Sequence, residues 1–72
     1  MKIGETWKRR KHRIDEDEDE GRTEWPDICK ITGIVDNSPC DLRVHFKYPD
    51  WPNRSEDSMR RKTFIKEFEK VY

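Results

Sequence analysis

The clearest hydrophobic pattern in the chain covers residues 42–48. Apolar side chains alternate there with basic or imidazole side chains. A two-residue period on residues that favour β-structure is typical of a strand with one buried face. Four side chains are predicted to face a core: Leu42, Val44, Phe46 and Tyr48. Three are predicted to face solvent or a partner: Arg43, His45 and Lys47.

Three further segments are predicted to be strands. Residues 1–8 place Ile3 and Trp7 on one face, with Trp7 as the anchor. Residues 27–35 alternate until Gly33, where the slip in the pattern predicts a bulge. Turn residues at 36–39 make 27–35 and 41–48 a predicted hairpin. Residues 58–62 are a predicted short fourth strand with Met59 facing inward.

The C-terminal segment has a helical pattern instead. Phe64, Phe68 and Val71 follow the i, i+4, i+7 spacing of an amphipathic helix over residues 64–72, and Thr63 is a suitable N-cap. A helix this short must pack on the sheet to be stable. The charged segment 8–22 and the proline-containing segment 49–57 are predicted to be loops.

This order of elements predicts a mainly β fold with a short C-terminal helix. A small antiparallel SH3-like barrel is favoured, because curling a sheet covers its own edges. The alternative is an open sheet of three or four strands with one helix packed on it. With 72 residues, the chain is expected to be one small domain, 1–72, with a charged mobile loop at about 8–22.

Composition limits the functions that such a domain supports. Only 31% of the residues are hydrophobic and 44% are charged, so the core rests on the aromatic side chains. A core this small leaves little room for a substrate pocket of about 300–1,000 Å³. No apolar run reaches membrane-spanning length, and no signal peptide is visible. We therefore expect a cytoplasmic protein in which Cys29 and Cys40 are reduced thiols.

The sequence does not predict an enzyme. No Gly-rich phosphate loop is present, and nothing in the spacing of Cys40 and His45 places them in contact as a nucleophile and base. Cys29, Cys40, His12 and His45 match no usual zinc spacing, so no metal site and no cofactor are predicted.

Three segments resemble small bacteriophage and prophage accessory proteins: residues 1–8, 44–46 and 64–71. In those proteins a Gly-x-x-Trp opening, a hairpin and a Phe-x-x-x-Phe tail occur on a small β-barrel. Here Gly4 and Trp7 form the opening, and Phe64 and Phe68 form the tail. Segments 8–22 and 49–57 are longer than the turns that the resemblance implies. It implies an early gene product, a class that often binds and inhibits a host factor, and it assigns no functional residue.

The charges sum to zero but are segregated, with a basic run at 8–13 and six acids at 15–20. Our first hypothesis is a protein-interaction module that acts on a host protein. It binds through the charged loop 8–22 and through loops that carry Trp and Tyr, because these side chains are typical interface anchors. The predicted binding residues are Asp15, Glu16, Asp17, Glu18, Asp19, Glu20, Trp25, Tyr48 and Trp51. The acids mimic a phosphate backbone in this hypothesis, or they only solubilise the chain. Each Trp alternatively packs under its own loop.

The alternative hypothesis is a nucleic-acid-binding barrel that uses the basic run and one strand face. Its predicted contacts are Lys8, Arg9, Arg10, Lys11, Arg13, Arg43 and Lys47. A third hypothesis is self-association through edge strands, so both a monomer and a small homo-oligomer are compatible with the sequence.

Overall fold

The computed structural model of the chain describes residues 1–36 and 42–71. The strands and the helix of this part are β1 (Thr6–Arg9), β2 (Ile14–Asp17), β3 (Gly21–Glu24), β4 (Ile28–Asp36), β5 (Leu42–Lys47), β6 (Asp57–Arg60), α1 (Arg61–Glu67) and β7 (Phe68–Lys70). The prediction of a mainly β fold with one short helix near the C-terminus is confirmed.

Five of the strands form one antiparallel sheet in the order β6-β5-β4-β1-β7, and β2 pairs with β3 alone. The predicted hairpin of β4 and β5 is confirmed. The register of this hairpin shifts between Ile31 and Gly33, where the sequence predicts a bulge. The predicted turn at 36–39 lies mostly outside the described residues.

The two edges of the large sheet, β6 and β7, are joined directly by α1. The eight residue steps from Arg60 to Phe68 span about 12 Å at helical rise. The edges of a flat five-stranded sheet would lie about 19 Å apart. The sheet must therefore be strongly curled towards α1. Within residues 1–36 and 42–71, no pairing joins β6 to β7, so the sheet is not closed.

The core lies inside this curl and is largely aromatic. Val44, Phe46 and Tyr48 are buried as predicted, whereas Leu42 is only half-buried. The remaining buried apolar side chains are Trp7, Cys29, Ile31, Phe64 and Phe68. The rings of Phe64 and Phe68 stack with centroids 4.7 Å apart, which places α1 over the sheet. Met59 packs against this core, as predicted.

The first predicted strand is too long at its N-terminal end. β1 begins at Thr6, and Ile3 is 66% exposed, so the prediction that Ile3 shares the core face of Trp7 is wrong. Ile3 and Gly4 form a turn, with Gly4 at a φ of 94° that favours glycine. This turn takes residues 1–3 out of the line of β1.

The predicted helix over 64–72 is also wrong in its bounds. α1 begins at Arg61, so Thr63 lies inside it, and the N-cap Arg60 makes no side-chain capping bond. The chain becomes extended at Phe68, and β7 pairs with the edge of β1. This pairing satisfies backbone groups of β1 that continued helix would leave open. Val71 is 40% exposed, so it does not extend the predicted apolar face.

The charged segment 8–22 contains regular structure where a loop was predicted. β2 and β3 form a hairpin in which Glu16 lies opposite Arg22 and Asp17 opposite Gly21. We call residues 14–24 the acidic hairpin. It packs almost entirely against itself, so it projects from the large sheet of an elongated molecule measuring 41 × 25 × 23 Å.

Candidate interaction site

Three aromatic side chains from separate parts of the chain meet at the base of the acidic hairpin. The ring centroids of Trp25 and Trp51 lie 5.0 Å apart, and each ring lies within 6.0 Å of the Tyr48 ring. We call these three residues the aromatic cluster. Trp25 follows β3, Tyr48 follows β5, and Trp51 lies in the loop after β5. In the sequence these three residues were separate candidates for binding.

Local backbone structure brings Trp51 to this position. Its amide donates to the carbonyl of Tyr48, and the amide of Arg54 donates to the carbonyl of Trp51. The loop therefore folds as two consecutive turns, which its prolines and turn residues favour. Beside Trp51 is a shallow depression of about 380 Å³ whose lining is formed by Asp50, Trp51, Pro52, Asn53 and Arg54.

Two guanidinium groups lie against the indole rings. Cζ of Arg13 is 4.3 Å and Cζ of Arg54 is 4.7 Å from the centroid of Trp25. Arg54 is held by two hydrogen bonds to Asp57, which raise the pKa of the Arg54 side chain. Contacts of this kind between a cation and an aromatic face are attractive and favour Trp. The cluster therefore presents apolar rings beside fixed positive charge.

Asp15 connects the acidic hairpin to the cluster. Its carboxylate accepts two hydrogen bonds from Arg13, at 3.3 and 3.0 Å, and one of 2.7 Å from Nε1 of Trp25. The hydrogen bonds from Arg13, followed by the one from Trp25, lower the pKa of Asp15. The sequence placed Asp15 among the binding acids of a predicted loop, whereas here it positions Trp25.

Tyr48 is only 4% exposed, as its predicted place in the core requires, so little of its ring is open to a partner although it is also among the predicted binding residues. Its hydroxyl accepts a 2.7 Å hydrogen bond from Arg9, and burial raises the pKa of Tyr48. Tyr48 forms the floor of the cluster. Trp25 and Trp51 are half-buried, and they supply the part of the cluster that a partner can reach.

The remaining acids of the predicted site are exposed on the acidic hairpin. Glu16 and Asp17 lie on β2, and the three acids Glu18, Asp19 and Glu20 form the turn. Asp17 accepts a hydrogen bond from the amide of Asp19, which orders this turn. Because β2 pairs with β3, the hydrogen-bonded contact of Asp15 with Arg13 is the one that the described structure gives between the acids at 15–20 and the basic run.

The structure splits the basic run 8–13. Arg9 points inward and is 7% exposed, and Arg10 donates to the carbonyls of Ile65 and Phe68. Arg13 lies on Trp25. Lys8 and Lys11 stay exposed. Residues 9–14 and α1 also border an open groove of about 360 Å³. The run therefore does not form one continuous basic patch.

Arg43 and Lys47 lie together on the outward side of β5, as predicted. Lys30 of β4 lies directly opposite Lys47, and Arg60 of β6 lies directly opposite Arg43. The sequence predicts that Arg60 faces outward, but Lys30, Arg60 and Arg54 were not among the predicted binding residues. The alternation of residues 28–32 already marks Lys30 as outward, but only the strand register shows what lies beside it.

Cys29 is a fully buried free thiol, and burial raises its pKa to about 12, which disfavours the reactive thiolate. Cys40 lies outside the described residues. Across residues 1–36 and 42–71, no group of three or more His, Cys, Asp or Glu side chains is arranged to hold a metal ion. In the same residues no helix has the length and apolar character to cross a membrane.

Comparison with known proteins gives no match: no family model fits the chain, and no curated protein and no solved structure is significantly similar to it.

Proposed function

We propose that this chain is a non-enzymatic protein-interaction module that binds its partner through the aromatic cluster and the acidic hairpin. The observation that carries the proposal is the meeting of Trp25 and Trp51, both half-buried, with Arg13 and Arg54 beside them. Trp and Arg are the side chains that most often dominate binding energy at protein interfaces.

The cluster is ordered before any partner arrives. The hydrogen bonds of Asp15 fix Trp25, and those of Asp57 fix Arg54. Ordering side chains during association costs about 0.5–1.5 kcal/mol for each flexible side chain. A cluster that is already fixed avoids much of this cost, which supports its use as an anchor.

The acidic hairpin supplies the charge of the proposed interface. The cluster lies at the base of this hairpin, so a partner surface that covers Trp25 can extend along the hairpin to the acids at 16–20. The surface of such a partner is positively charged, as in a groove that binds nucleic acid, and the hairpin takes the place of phosphates there. We propose a modulator or inhibitor of a bacterial protein, encoded by a phage and acting in the host cytoplasm. The resemblance of residues 1–8, 44–46 and 64–71 to phage accessory proteins supports this origin.

The finer fold, an SH3-like barrel, is part of the same proposal. Two features support it: the curl that α1 requires between β6 and β7, and the pairing of the first strand of the sheet with its last. A curled sheet leaves the loop after β5 and the acidic hairpin on its rim, where a partner can reach both.

A pull-down from bacterial lysate, with and without nuclease, tests the proposal. The tagged wild-type chain is compared with Trp51→Ala and with a triple charge reversal, Glu18→Lys, Asp19→Lys and Glu20→Lys. Asp15 is left unchanged because it holds Trp25. The controls are Ile3→Ala and Glu67→Lys, which alter an exposed apolar residue and an exposed acid elsewhere.

The expected result is one protein that nuclease does not remove, recovered by the wild type and by both controls and lost with the site variants. Circular dichroism must show that the site variants stay folded. Recovery that is equal for all variants contradicts the proposed site. Recovery that disappears with nuclease contradicts direct protein binding.

A further inference from the structure

The outward side of the large sheet carries a group of basic residues that the aromatic cluster does not use. Phe46 and Lys47 are neighbours in β5, so their side chains point to opposite sides of the sheet. Because Phe46 is in the core, Lys47 lies on the outer side. Strand register adds Lys30, Arg43 and Arg60 to the same side. We call these four residues the basic face.

Like charges are placed directly opposite each other on this face. Lys30 faces Lys47 across β4 and β5, and Arg43 faces Arg60 across β5 and β6. Directly opposed like charges destabilise an antiparallel pair. The Lys30–Lys47 pair and Arg43 lie on the same side of the sheet, and their positive charge favours an anionic ligand.

The neighbouring acids leave most of this charge uncompensated. Within residues 1–36 and 42–71, neither Lys30, Lys47 nor Arg43 forms an ion pair. Glu56, near this side of the sheet, contacts His45 and Thr32. Glu69 lies opposite Lys8 at the far edge and contacts Arg10.

We propose that the basic face binds the phosphate backbone of nucleic acid without base specificity. The strands β1, β4, β5 and β6 direct no Trp, Tyr or Phe side chain outward, since Trp7 and Phe46 are both in the core. Stacking of bases on aromatic rings is therefore absent from this face, and contacts to phosphates remain. This proposal is independent of the protein-binding site.

The acidic hairpin of a second copy is a weaker candidate for the same face. Its Asp15 is already bonded to Arg13 and Trp25, Glu16 lies opposite Arg22, and Asp17 accepts from a backbone amide. Only Glu18, Asp19 and Glu20 remain for a second copy, and all three lie in one short turn. A nucleic acid strand carries a phosphate at every residue with no such internal partners.

The test is the anisotropy of a short fluorescein-labelled oligonucleotide, single-stranded and duplex, titrated with the full chain at several salt concentrations. Phosphate contacts by Lys30, Arg43 and Lys47 predict a slope of about −2 for log affinity against log salt on single strands. Affinity then falls about 15-fold between about 50 and 200 mM salt. The double variant Lys30→Ala, Lys47→Ala should reduce the slope to about −0.7.

The matched control is Lys11→Ala, Lys66→Ala, which removes the same charge from two exposed lysines of the groove beside α1. The control should keep the wild-type slope. The Lys30 and Lys47 variant should be at least as stable as the wild type, because it relieves repulsion. If this variant were unfolded, the result would contradict the placement of Lys30 directly opposite Lys47.

Three results overturn the proposal. The first is no binding to either oligonucleotide at low salt. The second is an equal loss of affinity in the Lys11 and Lys66 control, which would move the site to the groove. The third is concentration-dependent self-association, measured by sedimentation without oligonucleotide, that Lys30→Ala, Lys47→Ala removes while oligonucleotide binding is absent. That result would assign the face to a second copy.

Discussion

The guanidinium of Arg9 donates a 2.7 Å hydrogen bond to the hydroxyl of Tyr48. The same group lies 4.6 Å from the centroid of the Phe68 ring. Arg9 therefore joins β1 to the end of β5 and to β7 from inside the molecule. A residue that belongs to a basic run in the sequence is a part of the core in the fold.

Arg9→Ala should lower the free energy of unfolding by about 1–3 kcal/mol, since it leaves the buried Tyr48 hydroxyl without this donor and removes packing on Phe68. Urea unfolding followed by tryptophan fluorescence measures the change. Lys8→Ala is the control, because Lys8 is the adjacent residue on the exposed side of the same strand. Its effect should stay within about 0.5 kcal/mol. Equal effects of the two variants would contradict the inward placement of Arg9.

The N-terminal boundary of α1 gives a second test. Thr63 lies inside the helix, and Ala has a higher helix propensity than Thr by up to about 0.7 kcal/mol. Thr63→Ala should therefore leave the free energy of unfolding unchanged or raise it slightly. Loss of an N-cap would lower it by about 1 kcal/mol. A decrease of that size would show that the helix begins at Thr63, contrary to the structure.

Glu5 gives a pH-dependent prediction. A hydrogen bond from the backbone amide of Lys2, then one from the Lys70 side chain, lower the pKa of Glu5 from 4.5 to about 2. A carboxyl whose pKa is lower in the folded state stabilises the fold above its unfolded pKa. This stabilisation should be complete above pH 4.5 and should be lost as the pH falls towards 2.

Urea unfolding between pH 2 and 6 measures this contribution. The difference in stability between the wild type and Glu5→Gln should be largest at the upper end and should shrink as the pH falls. Glu67→Gln, at an exposed carboxyl of α1, is the control. If the difference in stability between the wild type and Glu5→Gln did not vary with pH, Glu5 would stabilise the fold through packing or neutral hydrogen bonds and not through its charge.

The fold was predictable where the sequence alternates or carries turn residues. Residues 42–48 identify their own buried face, and Gly33 marks the slip in register. The end of the helix was not predictable. Phe64 and Phe68 can both be buried if the helix continues past residue 68, and they can equally both be buried if Phe64 lies in a helix and Phe68 in a strand. The choice depends on the open edge of β1, which lies about sixty residues earlier in the chain.

The candidate site was predictable residue by residue but not as an arrangement. Trp25 and Trp51 were each predicted as an interface anchor, but nothing in the sequence brings them to 5.0 Å from each other. Charge alone grouped Arg9 with Lys8, although their side chains point to opposite sides of β1. Charge alone also grouped Asp15 with the other acids of the run. Its bond to Trp25 depends on the twist and register of the acidic hairpin, which the sequence does not give.

The most direct test of the central claim uses the indole N–H signals of the three tryptophans in a ¹⁵N NMR spectrum. The protein recovered in the pull-down is titrated into the labelled chain. We expect the signals of Trp25 and Trp51 to shift or broaden, while that of Trp7, which is in the core and bonded to Glu5, stays in place. Binding that leaves Trp25 and Trp51 unchanged would contradict the claim that the partner docks on the aromatic cluster.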